Sequence, residues 1–168
     1  AMPKASVGTS SADMTFVAYD KGADLTDEGD DVAYYELNAV VDGKITTVKV
    51  DGTVYGKIAT EAGKDELVAA YDGLTYNSDD IATSTTTATD TVKGDFTVKA
   101  LKNDMIQIGT DAYAFTDDAK VFFVDGCDFT EGKTSSIRDD NNDTKNPYKQ
   151  VVFHTDDGDI DVIFLVKK

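Results

Sequence analysis

Residues 148–168 read YKQVVFHTDDGDIDVIFLVKK, two runs rich in β-branched and aromatic residues joined across Asp157-Gly158. Asp-Gly supplies the positive φ angles that a two-residue type I′ turn demands, so this stretch predicts a closing β-hairpin. Immediately upstream stand KVFFVDGCDFTEGKTSSI (120–137) and a polar run, RDDNNDTKNP (138–147). The same hairpin signature recurs near the N-terminus. There VAYYELNAVV (32–41) is followed by Asp42-Gly43 and KITTVKV (44–50). A further Asp51-Gly52 turn leads into TVYGKIA (53–59), read as the next strand of a meander.

Between these hairpins the signals are shorter. Leu67, Val68, Tyr71 and Leu74 fit either a helix or two strand pieces. Strand is favoured, because Gly63 and Gly73 bracket the run too closely for a helix of normal length. Residues 78–93 carry Thr at 83, 85, 86, 87, 89 and 91, an exposed strand or polar loop. Four short strands are expected at 96–101, 104–108, 112–115 and 120–124, with turns at Asn103-Asp104, Gly109 and Asp117-Asp118. The closely spaced antiparallel strands predict an all-β chain: one small antiparallel β-barrel or sandwich, preceded by a β-meander from a related unit. Helical content is limited to short turns, one of them at 130–137. The expected core is Phe96, Val98, Ile106, Ile108, Phe115, Val121, Phe123, Phe129, Ile137, Val152, Ile160, Val162 and Phe164.

Composition narrows the partners. The chain has 168 residues with 32 Asp plus Glu against 16 Lys plus Arg, a formal net charge of −16. Nucleic acid and anionic membrane surfaces are therefore poor partners, since phosphate binding needs clustered cations. No apolar run approaches the ~20 residues of a spanning helix. A lone Cys127 cannot staple the fold, so stability must come from packing.

The two hairpin regions also resemble one another. Phe16-Val17 precedes Asp24-Leu25-Thr26, as Phe122-Phe123 precedes Asp128-Phe129-Thr130, and each set leads to strand, Asp-Gly and strand. The distance from Thr26 to Asp42 is 16 positions and from Thr130 to Asp157 it is 27, which fits an insertion at 138–148. This repeat divides the chain into a lead-in (1–13), a partial unit (14–52) and a complete unit (53–168).

With these motifs in view, the run KVFFVDGCDFTEGKTSSI, the acidic insert and QVVFHTDDGDIDVIFLV resemble β-rich modules of S-layer homology domain-containing surface proteins of Gram-positive bacteria. The resemblance covers 96–168 well and 14–52 loosely. It implies an extracellular fragment, associated with the cell wall or S-layer, in a structural or adhesive role. Its partners would be neighbouring modules of the same protein and cell-wall or host glycans. The S-layer homology modules themselves have no counterpart here.

Candidate chemistry is sparse, and no enzyme activity is expected. His154, the only histidine, is expected on the strand surface beside the hairpin turn. No nucleophile-elbow motif accompanies it. Cys127 lies between Asp125 and Asp128, whose charge disfavours a thiolate. For metal, Asp139, Asn141 and Asp143 are calcium candidates, with oxygen donors at alternating positions as in the opening of an EF-hand loop. Thr144 replaces the required Gly and Gln150 the closing Glu, so a looser loop site is the expectation, there or at Asp156, Asp157 and Asp159. No other cofactor is expected. An alternative function is a carbohydrate-binding module attached to an extracellular enzyme. Tyr34, Tyr35, Tyr71, Tyr76 and Tyr113 would then form its stacking row in place of Trp, or else serve as cross-strand partners.

Overall fold

Both Asp-Gly pairs adopt the turn their chemistry favours. Asp42 and Gly43 have φ of 55° and 75°, and Asp157 and Gly158 have 56° and 86°, the left-handed pair of a type I′ turn. The computed structural model describes residues 14–23, 26–27, 33–63, 66–101, 105–134, 137 and 148–167. The chain divides into two units, Ala1–Thr89 and Asp90–Lys168. Both are β structures, and among the described residues they contain one helix.

The first unit contains β1 (Thr15–Ala18), β2 (Thr26–Asp27), β3 (Ala33–Val41), β4 (Lys44–Val50), α1 (Gly52–Ala62), β5 (Val68–Tyr76) and β6 (Ile81–Thr87). Its strands run in the order β1-β5-β6-β4-β3, and β1 pairs again with β3, which closes a five-stranded barrel with β2 on its flank. All pairings are antiparallel except β4 with β6, which run parallel at Lys49↔Ile81 and Val50↔Ala82. A parallel pair needs a long connection, and α1 together with β5 supplies it. Val17, Leu37, Ala39, Val48, Val50, Ala69, Tyr71 and Ala82 form the core, joined by Val54, Ile58 and Ala62 of the helix.

Here the meander reading fails. Residues 53–59 are helical, not a strand. Asp51 caps the helix, its carboxylate accepting from the Val54 N–H at 2.8 Å. Gly63, at φ 86°, ends it by donating its N–H to the Ala59 carbonyl at 3.0 Å. The internal Gly56 and the β-branched Thr53, Val54, Ile58 and Thr60 make this a poor helix by propensity. What holds it is burial of Val54, Ile58 and Ala62 on one face, where a Val or Ile side chain contributes about 1.5–3 kcal/mol. The expected boundary at 52/53 fails with it. Strands β5 and β6 complete the same barrel as β3 and β4, so the division falls at 89/90. The proposed lead-in 1–13 lies outside the described residues. The run at 67–76 is strand rather than helix, but as one continuous β5 with a register shift between Tyr71 and Gly73 rather than two pieces, and the Thr-rich tract forms β6 and the next strand.

The second unit contains β7 (Thr91–Gly94), β8 (Val98–Leu101), β9 (Met105–Ile108), β10 (Asp111–Asp125), β11 (Asp128–Gly132), β12 (Tyr148–Asp156) and β13 (Asp159–Lys167). They form a curled sheet in the order β7-β12-β13-β10-β9-β8, with β11 also paired to β10. The turn expected at Asp117-Asp118 is absent, and one 15-residue strand runs through it. An irregularity between Phe115 and Lys120 absorbs the surplus residues, so that the first half of β10 pairs with β9 and the second with β11 and β13. Residues 130–132 belong to β11 rather than to the helical turn expected at 130–137; Ile137 N–H donates to the Thr134 carbonyl at 3.3 Å, and 135–136 lie outside the described residues.

Every residue of the expected core is buried or packed against the core of this unit. The faces differ from simple alternation. His154 opposes Val162 while Thr155 opposes Ile160, which leaves Asp161 as the extra residue of a β-bulge. A bulge exchanges the faces beyond it, so Ile160 shares its core cluster with Ile163 and Leu165 rather than with Val162 and Phe164. Phe164 instead stacks on Phe122 at 5.1 Å and meets Phe129 edge-on at 5.7 Å.

The expected repeat does not share its wiring. Strand β1 pairs with the first strand of its hairpin, antiparallel, whereas β10 pairs with the second strand of its hairpin, parallel.

Candidate functional site

The helix that the sequence reading missed forms one wall of a cleft in the first unit. Along α1, Val54, Ile58 and Ala62 recur at i, i+4, i+8 and face the barrel core. Beside them Thr53, Gly56, Lys57, Thr60 and Glu61 recur at i, i+3, i+4, i+7, i+8, a second stripe that forms one wall of a cleft of about 370 Å³ open to solvent. The opposite wall comes from Tyr71 on β5 and from Thr85 and Thr87 on β6. Tyr71 and Thr87 are direct partners across β5 and β6, which places their side chains on one face.

Three features set the chemistry of this cleft. Gly56 leaves its mouth open, for a methyl group built there meets nothing within 4 Å. Thr60 donates its hydroxyl to the Gly56 carbonyl at 3.0 Å, which leaves its oxygen lone pairs as acceptors. Tyr71 is 3% exposed, and its hydroxyl has no hydrogen-bond partner among the described residues. Burial, and after it the charge of Glu61, pushes the Tyr71 phenol up from its ordinary value, so it stays a neutral donor. An orphaned buried hydroxyl costs about 1–3 kcal/mol.

A second cluster anchors the helix from outside. Tyr55 stacks on Tyr35 with ring centres 3.8 Å apart and donates its hydroxyl to the Asp20 carbonyl at 2.6 Å. Burial, then the neighbouring Tyr19, pushes the Tyr55 phenol up to about 12.

The residues singled out from sequence fare differently. Asp139, Asn141 and Asp143 lie outside the described residues. Asp156, Asp157 and Asp159 are exposed on the closing turn, and no three His, Cys, Asp or Glu converge as a metal site among the described residues. His154 is buried rather than on the strand surface, 2% exposed, with Nδ1 2.7 Å from Oδ1 of the bulged Asp161. The bulge turns that carboxylate toward the histidine, and the pair ties β12 to β13. Cys127 is buried in the β10–β11 turn at φ 72°.

The five tyrosines do not form a row. Tyr34 lies under the Lys49 ammonium at 4.8 Å, Tyr35 stacks on Tyr55, and Tyr71 is in the barrel core. Tyr113 belongs to the second unit, edge-on to Phe153 at 5.0 Å, and Tyr76 is 41% exposed. The cleft was missed because 53–59 was read as strand. Its signal was present as Asp51 in a capping position, followed by apolar residues at 54, 58 and 62.

No family model, curated protein or solved structure matches this chain.

Proposed function

We propose that this chain is a non-enzymatic structural or adhesive module of a secreted, cell-wall-associated bacterial surface protein. The observation that supports the reading best is the tandem of two β units, each with its own packed core, that follow one another directly at 89/90. Such units suit a chain built by adding modules end to end. The acidic composition, −16 overall, favours a well-hydrated surface that resists self-association. The likeness of 96–168 to modules of S-layer homology domain-containing proteins points the same way.

Immunogold labelling of intact source cells and of wall fractions, with antibodies against the purified chain, tests this assignment. Label at the wall and its release with wall extracts are expected. Label confined to the cytosol would overturn the reading.

A further inference from the structure

We infer that the open edge of β6 at 83–87, beside the α1 cleft, is a docking site for an extended segment of another polypeptide, uncharged where it lies against the edge and basic on either side. The inference does not rest on the surface-module reading, and either can fail without the other.

The wiring of the barrel leaves this edge open. Strands β4 and β6 meet only at Lys49↔Ile81 and Val50↔Ala82, and Asp51 N–H then donates to the Ala82 carbonyl at 3.0 Å. There Asp51 caps α1, and the chain departs as a helix instead of following β6 further. Strand β5 covers the other side of β6 as far as Thr87. On the β4 side no strand pairs with 83–87 among the described residues. Alternate N–H and C=O groups of a strand point away from its one partner, so this side of β6 presents a row of unpaired donors and acceptors. Thr83, Ser84, Thr86 and Thr87 are exposed, and Thr85 is half-buried.

That row selects the class of partner. Its groups repeat every two residues, about 6.7 Å, and another β-strand carries the matching repeat, which is the basis of recognition by strand addition. Space for such a strand lies alongside, because Thr85 and Thr87 share the cleft with Thr53, Gly56, Lys57, Thr60 and Glu61 of α1. The helical wall at 53–61 is ~12 Å long and the open edge ~13 Å, room for about four residues of extended chain.

Charge selects the chemistry of the partner. Residues 81–89, IATSTTTAT, contain no charge, Pro or Gly in a chain that is 29% charged. Charged side chains and Pro keep an open edge from pairing with other chains. Strands β2, β4, β7, β8 and β11, which also present open sides, carry Asp27, Lys44, Lys93, Lys99 and Glu131. Strand β6 at 83–87 lacks that safeguard. A charged residue lying against it would lose water without a counter-charge on β6, so the docked part is uncharged. Beyond the edge, a net charge of −16 favours basic flanks and disfavours a second copy of this chain.

The test is a selection on the whole chain from a displayed library of peptides, five randomised residues between two pairs of lysines. The same library flanked by glutamates is the contrast. The lysine library is expected to yield peptides with uncharged centres. Resynthesised, these should give saturable NMR shifts at 53–61 and 83–87 and slow amide exchange within 83–87. Methylating one peptide amide that faces the edge should weaken binding roughly 2- to 12-fold, the value of one hydrogen bond. Gly56→Leu, whose side chain projects into open space, should abolish the shifts while the amide spectrum of the second unit stays unchanged. No enrichment from the lysine library, equal enrichment from the glutamate library, shifts at another strand edge, or binding indifferent to both amide methylation and Gly56→Leu would each overturn the inference.

Discussion

The β3–β4 and β12–β13 hairpins share a turn and little else. Both turn on Asp-Gly with nearly the same φ at Asp, 55° and 56°. Strand β4 exposes its first four residues and buries only Val48 and Val50, whereas β13 buries every residue from Ile160 to Val166. Registers differ as well. β3 and β4 pair without interruption from Tyr35↔Val50 to Val41↔Lys44, while β12 and β13 slip twice. A turn is decided by two residues and their neighbours, but burial is decided by what packs on each face. Identical turns therefore need not mark equivalent units.

This contrast is best broken at the faces. Phe164→Ala should cost about 3–5 kcal/mol, because a large aromatic side chain at 0% exposure leaves a cavity between Phe122 and Phe129. Ile45→Ala, at 46% exposure on β4, should change stability by less than about 0.5 kcal/mol. Urea unfolding of the two variants measures both, and similar costs would contradict the difference in burial. Next in size is the bulge. Asp161→Ala removes the carboxylate that holds His154 at 2.7 Å, and should cost about 1–3 kcal/mol as a buried polar group loses its hydrogen bond. An unchanged urea midpoint would show that the pair contributes nothing to the closing hairpin.

Alkali should separate the units in another way. Burial, ahead of nearby phenol or carboxylate groups, pushes Tyr55, Tyr71 and Tyr76 upward, and all three belong to the first unit. The folded state then keeps its protons where the unfolded chain, with tyrosines near 10, gives them up. The contribution is complete below about pH 10 and declines as pH rises through the Tyr55 value of about 12. NMR-monitored urea unfolding at stepped pH should show the first unit losing stability over this interval, and a constant midpoint there would refute the assignment. The smallest expected effect is a gain. Gly56→Ala should stabilise α1 by about 0.5–1 kcal/mol, since a methyl there meets nothing within 4 Å. A loss on thermal unfolding would mean that the backbone at Gly56 needs its glycine.

Legibility followed the range of the forces involved. The residues expected in the second core, Val162 and Phe164 among them, are buried or packed against it, but those two lie outside the cluster that holds Ile160, Ile163 and Leu165. Alternation is local, and one extra residue, Asp161, reversed it. The tyrosine row failed for a related reason, because residues that look equivalent in sequence were distributed over β3, β5 and β10.

By itself the sequence determined the all-β class, both Asp-Gly turns and most of the apolar positions of the second unit. Those features depend on φ preferences and period-two patterning within a few residues. Tertiary structure decided that the weak cap and spacing signal at 52–62 becomes a helix, and it alone decided that β5 and β6 close a barrel begun by β1 and that Tyr71 lies buried beside the cleft. Glycines and β-branched residues argue against helix at 52–62, but burial of Val54, Ile58 and Ala62 outweighs a propensity difference worth at most about 1 kcal/mol per residue.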